Sequence, residues 1–164
     1  MPCLRSSAVV LLVALAGCAS GSSAKKVESI TASLKASSPG NGLLIVYRNV
    51  GGYMGGAAMF NVSLSLDGKI VGDIAHDNYV VLEVHPGELM LQARGVAGTE
   101  SNIPVRVSAG STSYAQVDMT FGNTPQLKVR ESNAAQREIA EDCHLGYQRN
   151  MSGDAPATKT GTTL

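Results

Sequence analysis

From residue 43 onward, apolar and polar positions alternate with a period of two, the spacing of a half-buried strand. Leu43-Leu44-Ile45-Val46-Tyr47-Arg48 reads as a first strand. Met59 to Leu66 alternates, so Phe60, Val62, Leu64 and Leu66 are expected to face a core and Asn61, Ser63 and Ser65 to face out. Asp67-Gly68 follows, a pair that tolerates the positive φ of a tight hairpin, with Lys69-Ile70-Val71-Gly72 as the return. Tyr79 to Val84 and Leu89 to Arg94 read as a second hairpin around the turn His85-Pro86-Gly87-Glu88. Val105 and Val107 mark another strand, and Ala115, Val117, Met119 and Phe121 the next, before Leu127-Lys128-Val129. The period then changes. Ala134, Ala135, Ile139 and Cys143 fit an amphipathic helix over Glu131 to Cys143, capped by Ser132 or Asn133.

This pattern predicts a mainly β fold: an antiparallel β-sandwich of seven to eight short strands with one short C-terminal helix. No long helical crossover separates the strands, which disfavours a doubly wound α/β sheet. The sandwich domain is expected over residues 42–145, with a disordered tail over 146–164 that is rich in Thr, Gly, Ala and Pro.

The first residues follow neither period. Ala8 to Ala16 is an unbroken apolar run preceded by Arg5. A basic start, a short apolar stretch and small residues describe an export signal. The run falls short of the roughly 20 residues that cross a bilayer. It ends in Leu15-Ala16-Gly17-Cys18, which resembles the lipobox of bacterial lipoproteins. The resemblance implies a diacylglyceryl group on the Cys18 thiol and cleavage by signal peptidase II between Gly17 and Cys18. The signal is then residues 1–17, and residues 18–41 are a lipidated cysteine with its tether. Ala19, rather than Asp, follows the cysteine and favours the outer membrane, facing the periplasm. Within the tether, Val27, Ile30 and Leu34 share the face of a short helix, with an unstructured linker as the alternative.

Composition now adds exclusions. The chain of 164 residues has 13 basic and 13 acidic side chains, and loss of the signal removes Arg5. A nearly neutral domain lacks the basic surplus of a nucleic-acid binder, so no nucleic-acid partner is expected. With Cys3 in the signal and Cys18 lipidated, Cys143 is the remaining thiol and no internal disulfide is available.

The order lipobox, Tyr47-Arg48, Leu66-Asp67-Gly68-Lys69, Tyr79, Val84-x-Pro86-Gly87 and late helix resembles the bacterial lipoproteins grouped as domain of unknown function 2846. The turns are also similar to those of PEGA-type and transthyretin-like sandwiches. The resemblance covers about residues 42–145 and implies fold and location, with no assigned activity.

Candidate chemistry is sparse. Gly51-Gly52-Tyr53-Met54-Gly55-Gly56 lacks the Gly-Lys-Ser/Thr ending of a phosphate loop. It reads as a connection whose Tyr53 and Met54 form a partner-contact loop. His76-Asp77 has the residue types of a base and its orienter, but adjacent side chains on an extended chain point apart, and no nucleophile accompanies them. Glu83 and His85 share a strand face, yet zinc needs three or four ligands, so no metal and no cofactor are expected. The expected function is a non-enzymatic binding, accessory or structural module held at the membrane through Cys18, with an envelope protein as partner. The alternatives are a small-ligand or glycan binder, and an envelope hydrolase using His76 and Asp77.

Overall fold

The computed structural model describes residues 34–49, 60–120 and 123–153. Among them are nine strands and one helix. The strands are β1 (Gly42–Arg48), β2 (Val62–Leu66), β3 (Lys69–Ile74), β4 (Asn78–Val84), β5 (Gly87–Arg94), β6 (Glu100–Val107), β7 (Thr112–Thr120), β8 (Thr124–Arg130) and β9 (His144–Asn150). The helix, α1 (Ser132–Asp142), lies between β8 and β9. The fold is mainly β, with two sheets facing one another. The larger is ordered β8-β7-β1-β4-β9 and the smaller β3-β2-β5-β6.

The central strands explain their own composition. β1 and β4 are buried along almost their whole length, on both faces. A strand covered twice has no polar face to alternate, hence the continuous run from Leu43 to Tyr47. Leu44, Val46, Val80 and Leu82 point inward to meet Val62, Leu64, Leu91 and Val105 of the smaller sheet. Leu43, Ile45, Tyr47, Tyr79, Val81 and Tyr114 point the other way, where Ala135, Ile139 and Cys143 cover them together with Leu34 and Ala36. The architecture is therefore a sandwich with a third, partial layer on the outer face of the larger sheet.

Three hairpins join consecutive strands: β2–β3, β5–β6 and β7–β8. At the first, Asp67 and Gly68 have φ of 50° and 78°, and the Asp67 carboxylate accepts from the Met90 N–H at 2.8 Å. The larger sheet is not purely antiparallel. β1 runs parallel to β7, and β4 parallel to β9.

Five local expectations are corrected. β4 and β5 form no hairpin, because β4 pairs with β1 and β9 while β5 pairs with β2 and β6. His85-Pro86 carries the chain from one sheet to the other. Phe60 is 42% exposed, and β2 begins only at Val62. The helix N-cap is Glu131, without a side-chain capping bond, rather than Ser132 or Asn133. The domain does not end at 145: β9 runs to Asn150, and Met151 is buried in the inter-sheet core. Nor does the tether reach 41 as a loose segment, since Leu34 and Ala36 pack on the sheet and Asn41 is buried.

The two open sides of the sandwich are closed differently. On one, the Leu127 N–H donates to Ser101 Oγ at 3.1 Å, joining β8 to β6. On the other, the Arg149 guanidinium donates to the carbonyls of Ile70 and Val71, at 3.3 and 2.7 Å. Arg149 thus occupies acceptors on the edge of β3 that an incoming strand would need.

Candidate functional site

Gly17, Cys18, Tyr53 and Met54 lie outside the described residues, as does the Val27–Ile30 part of the tether. Three polar clusters among the described residues involve buried polar groups or the sequence candidates, each built by the elements around it.

The first surrounds Glu83 on β4. Strand alternation puts Glu83 on the outer face beside Leu43, its register partner on β1. An acidic side chain there is 1% exposed, so it must be paired or hydrogen-bonded. Its side-chain oxygens accept from the segment before β1. The backbone N–H groups of Ser37 and Ser38 donate to its two oxygens at 3.0 Å each. Asn41 Nδ2 donates at 2.8 Å. The bend of this segment is set by the Asn41 N–H donating to the Ser38 carbonyl at 3.0 Å. With Asn41 and the two amides bonded to its ionised form, the Glu83 carboxyl is held down at about 2. The main-chain carbonyl of Glu83 accepts from the Met151 N–H at 2.7 Å. One residue therefore fixes both the entry and the exit of the described domain. Beside it lies a cavity of about 280 Å³, lined by Leu34, Ala36 and Asn41 on one side and by Leu43, Ser111 and Thr112 on the other.

The second cluster fastens α1. Tyr47 Oη donates to Glu138 Oε2 at 2.7 Å. Arg130 Nε donates to the same hydroxyl at 3.4 Å, and the Arg130 guanidinium pairs with Glu138. Burial, then the bond to Glu138, pushes the Tyr47 hydroxyl well above the ordinary tyrosine range, so it remains a donor.

The third lies at the opposite end of β1 and β4. His76 Nδ1 and Asp77 Oδ2 are 2.9 Å apart. The two adjacent side chains do meet, because Asp77 has a φ of 56° and the chain bends instead of extending. That bend is held by the His144 N–H, which donates to the Asp77 carbonyl at 2.7 Å. Arg48 is 2% exposed and donates to the Phe60 carbonyl at 2.6 Å. Burial lowers the Arg48 pKa, and the charge of Asp77 partly offsets that. The Cys143 thiol is also buried here and faces the Arg48 carbonyl at 3.8 Å. A His–Asp pair orients an imidazole, but hydrolysis also needs a nucleophile and an oxyanion site.

Glu83 and His85 do not converge on a metal position. The Glu83 carboxylate is committed to the 37–41 segment, and His85 is exposed. Among the described residues no group of three His, Cys, Asp or Glu side chains is placed to hold a metal ion. No helix among them is long and apolar enough to cross a membrane.

Sequence reading weighs Glu83 only as a zinc ligand and sets it aside, gives Arg48 only as part of a motif, and assigns Asn41 no role beyond a turn. The signal available was a single acidic residue inside an otherwise apolar, β-branched run, Tyr79-Val80-Val81-Leu82-Glu83-Val84.

No family model and no curated protein matches the chain. A solved structure, the NMR structure of a protein from Eubacterium rectale, aligns with 57% of this chain and 91% of its own. The identity is 9% and the TM-score 0.38. At those values the likeness assigns neither fold nor function.

Proposed function

We propose that the chain is a lipid-anchored lipoprotein of the bacterial envelope. It carries a non-enzymatic β-sandwich module that binds or braces an envelope protein. The observation that carries this reading is Leu15-Ala16-Gly17-Cys18 at the end of an apolar export signal. The resemblance to the domain of unknown function 2846 lipoproteins rests on motif order and points the same way. Two acyl chains on one cysteine anchor stably, at about 0.8 kcal/mol per buried CH₂. The tether composition, Ala19 to Lys26, suits a linker. Tyr53 and Met54 are the proposed contact loop, and the outer membrane is the proposed location.

The test is Cys18→Ala in the full chain. Wild-type protein should incorporate radioactive fatty acid and sediment with membranes, and the variant should do neither. Continued labelling of the variant would refute Cys18 as the lipid site. Photo-cross-linking from positions 53 and 54 tests the contact loop, with Val96 as a control position on another turn. Capture at Val96 alone would overturn the loop assignment.

A second reading, a small-ligand site, has one observation in its favour: the cavity beside Asn41 and Thr112. A thermal-shift screen tests it, since a ligand at 100 times its Kd adds about 2.7 kcal/mol. For glycan binding, sugar-stacking faces need exposed aromatic rings: among the described residues Tyr47, Tyr79 and Tyr114 are buried, while Phe60 is 42% exposed.

A further inference from the structure

The segment that docks on Glu83 is also the segment through which a tether must reach the domain. Its grip is mainly polar. Leu34 and Ala36 are only partly buried, and the cavity beside them leaves their packing incomplete. The donors of Ser37, Ser38 and Asn41 all converge on one carboxylate. Asn41 is held a second time, because its carbonyl accepts from the Gly110 N–H at 2.8 Å. The far end of the segment is thus fixed to the β6–β7 turn, while Glu83 holds what precedes it.

We propose that Glu83 and residues 34–40 form a latch that sets the reach of the lipid tether, with Asn41 as the hinge. This inference rests on the lipid-anchor reading. Closed, the latch pins residues 34–40 to the outer face of the larger sheet. Open, it adds those seven residues to the linker, and the domain moves outward by at most about 25 Å. Tension along the tether, or a partner that supplies its own donors to Glu83, opens it. Acid weakens it only as pH falls below about 4.5 towards 2, where protonation of the released carboxyl competes with its donors.

The experiment uses the lipidated full chain in vesicles. Ser37 and Ser38 amide exchange is measured together with energy transfer from a dye at Val96→Cys to an acceptor lipid. Val96 is 61% exposed, and Cys143 is buried, which keeps labelling selective. Glu83→Gln should speed exchange of both serine amides by about tenfold or more and lengthen the mean distance to the bilayer. Asn41→Ala removes one of the three bonds and should give an intermediate result, which serves if Glu83→Gln fails to fold. Equal serine exchange in wild type and variants would overturn the latch. Faster exchange with an unchanged distance would overturn its control of reach. Absence of fatty-acid labelling would instead count against the anchor, while the exchange comparison, run in solution, still judges the latch.

Discussion

Tyr147 occupies the space that any side chain on residue 72 would need. A Cβ placed on Gly72 meets the Tyr147 hydroxyl at 2.7 Å and its ring carbon Cζ at 3.0 Å. Gly72 also has a φ of 146°, which side chains rarely adopt. The contact joins β3 to β9 across the side of the sandwich that Arg149 closes.

Gly72→Ala is therefore expected to destabilise the domain by about 2 kcal/mol, through overpacking and backbone strain together. Urea midpoints measure it. Tyr147→Phe should be neutral or stabilising by up to about 1 kcal/mol, because the Tyr147 hydroxyl is buried without a hydrogen-bond partner. A loss of more than that on Tyr147→Phe would reveal a bond to the hydroxyl.

The β2–β3 turn gives a contrasting glycine. At Gly68, with φ of 78°, an added Cβ meets nothing within 4 Å. Gly68→Val should cost about 1–2 kcal/mol from backbone conformation alone. Gly68→Asn should cost distinctly less, since Asn tolerates a left-handed backbone. Equal losses for the two would mean that the turn has changed type.

Acid stability should follow Glu83. Its carboxyl is held at about 2 in the folded chain against an ordinary value of 4.5. A depressed folded pKa means that the stabilisation is complete above about pH 4.5 and is lost as pH falls towards 2. Thermal midpoints from pH 7 to 2 should fall over that interval. Glu83→Gln should lower the midpoint at pH 7 and flatten the curve below pH 4.5. An unchanged acid limb in the variant would assign the sensitivity to other carboxylates.

Cys143 is 2% exposed and packs with Tyr47, Ile139 and Val81. Its reaction with a thiol reagent should be negligible in the native protein and become complete in denaturant. Fast native labelling, or a disulfide-linked dimer on a non-reducing gel, would contradict this burial.

Much of the fold was legible because burial leaves a mark on composition. β1 and β4 announce themselves through unbroken apolar runs, and β2 through alternation. The gap lay where strands are specified by their neighbours. β9 reads His144-Leu145-Gly146-Tyr147-Gln148-Arg149-Asn150, mostly exposed, so its pattern resembles a loop. It exists because β4 offers an open edge and because Met151 has a place in the core. The sheet change at His85-Pro86 was hidden for a similar reason: Pro-Gly marks a turn but says nothing about which strand receives the chain. Glu83 draws notice in the sequence only as a zinc ligand to be set aside, because its donors, two main-chain amides among them, leave no residue-type signature.

The parallel placement of β9 beside β4 has a consequence for the order in which the domain is made. Synthesis and export both deliver the chain from its N-terminus, so β4 and Glu83 arrive before the strand and the Met151 N–H that complete them. That edge of β4 stays unpaired, and the core lacks Met151, until residues 144–151 have followed. A chain truncated after α1 should therefore remain protease-sensitive despite containing eight of the nine described strands, and the last short, polar-looking strand decides when the molecule becomes a finished solid.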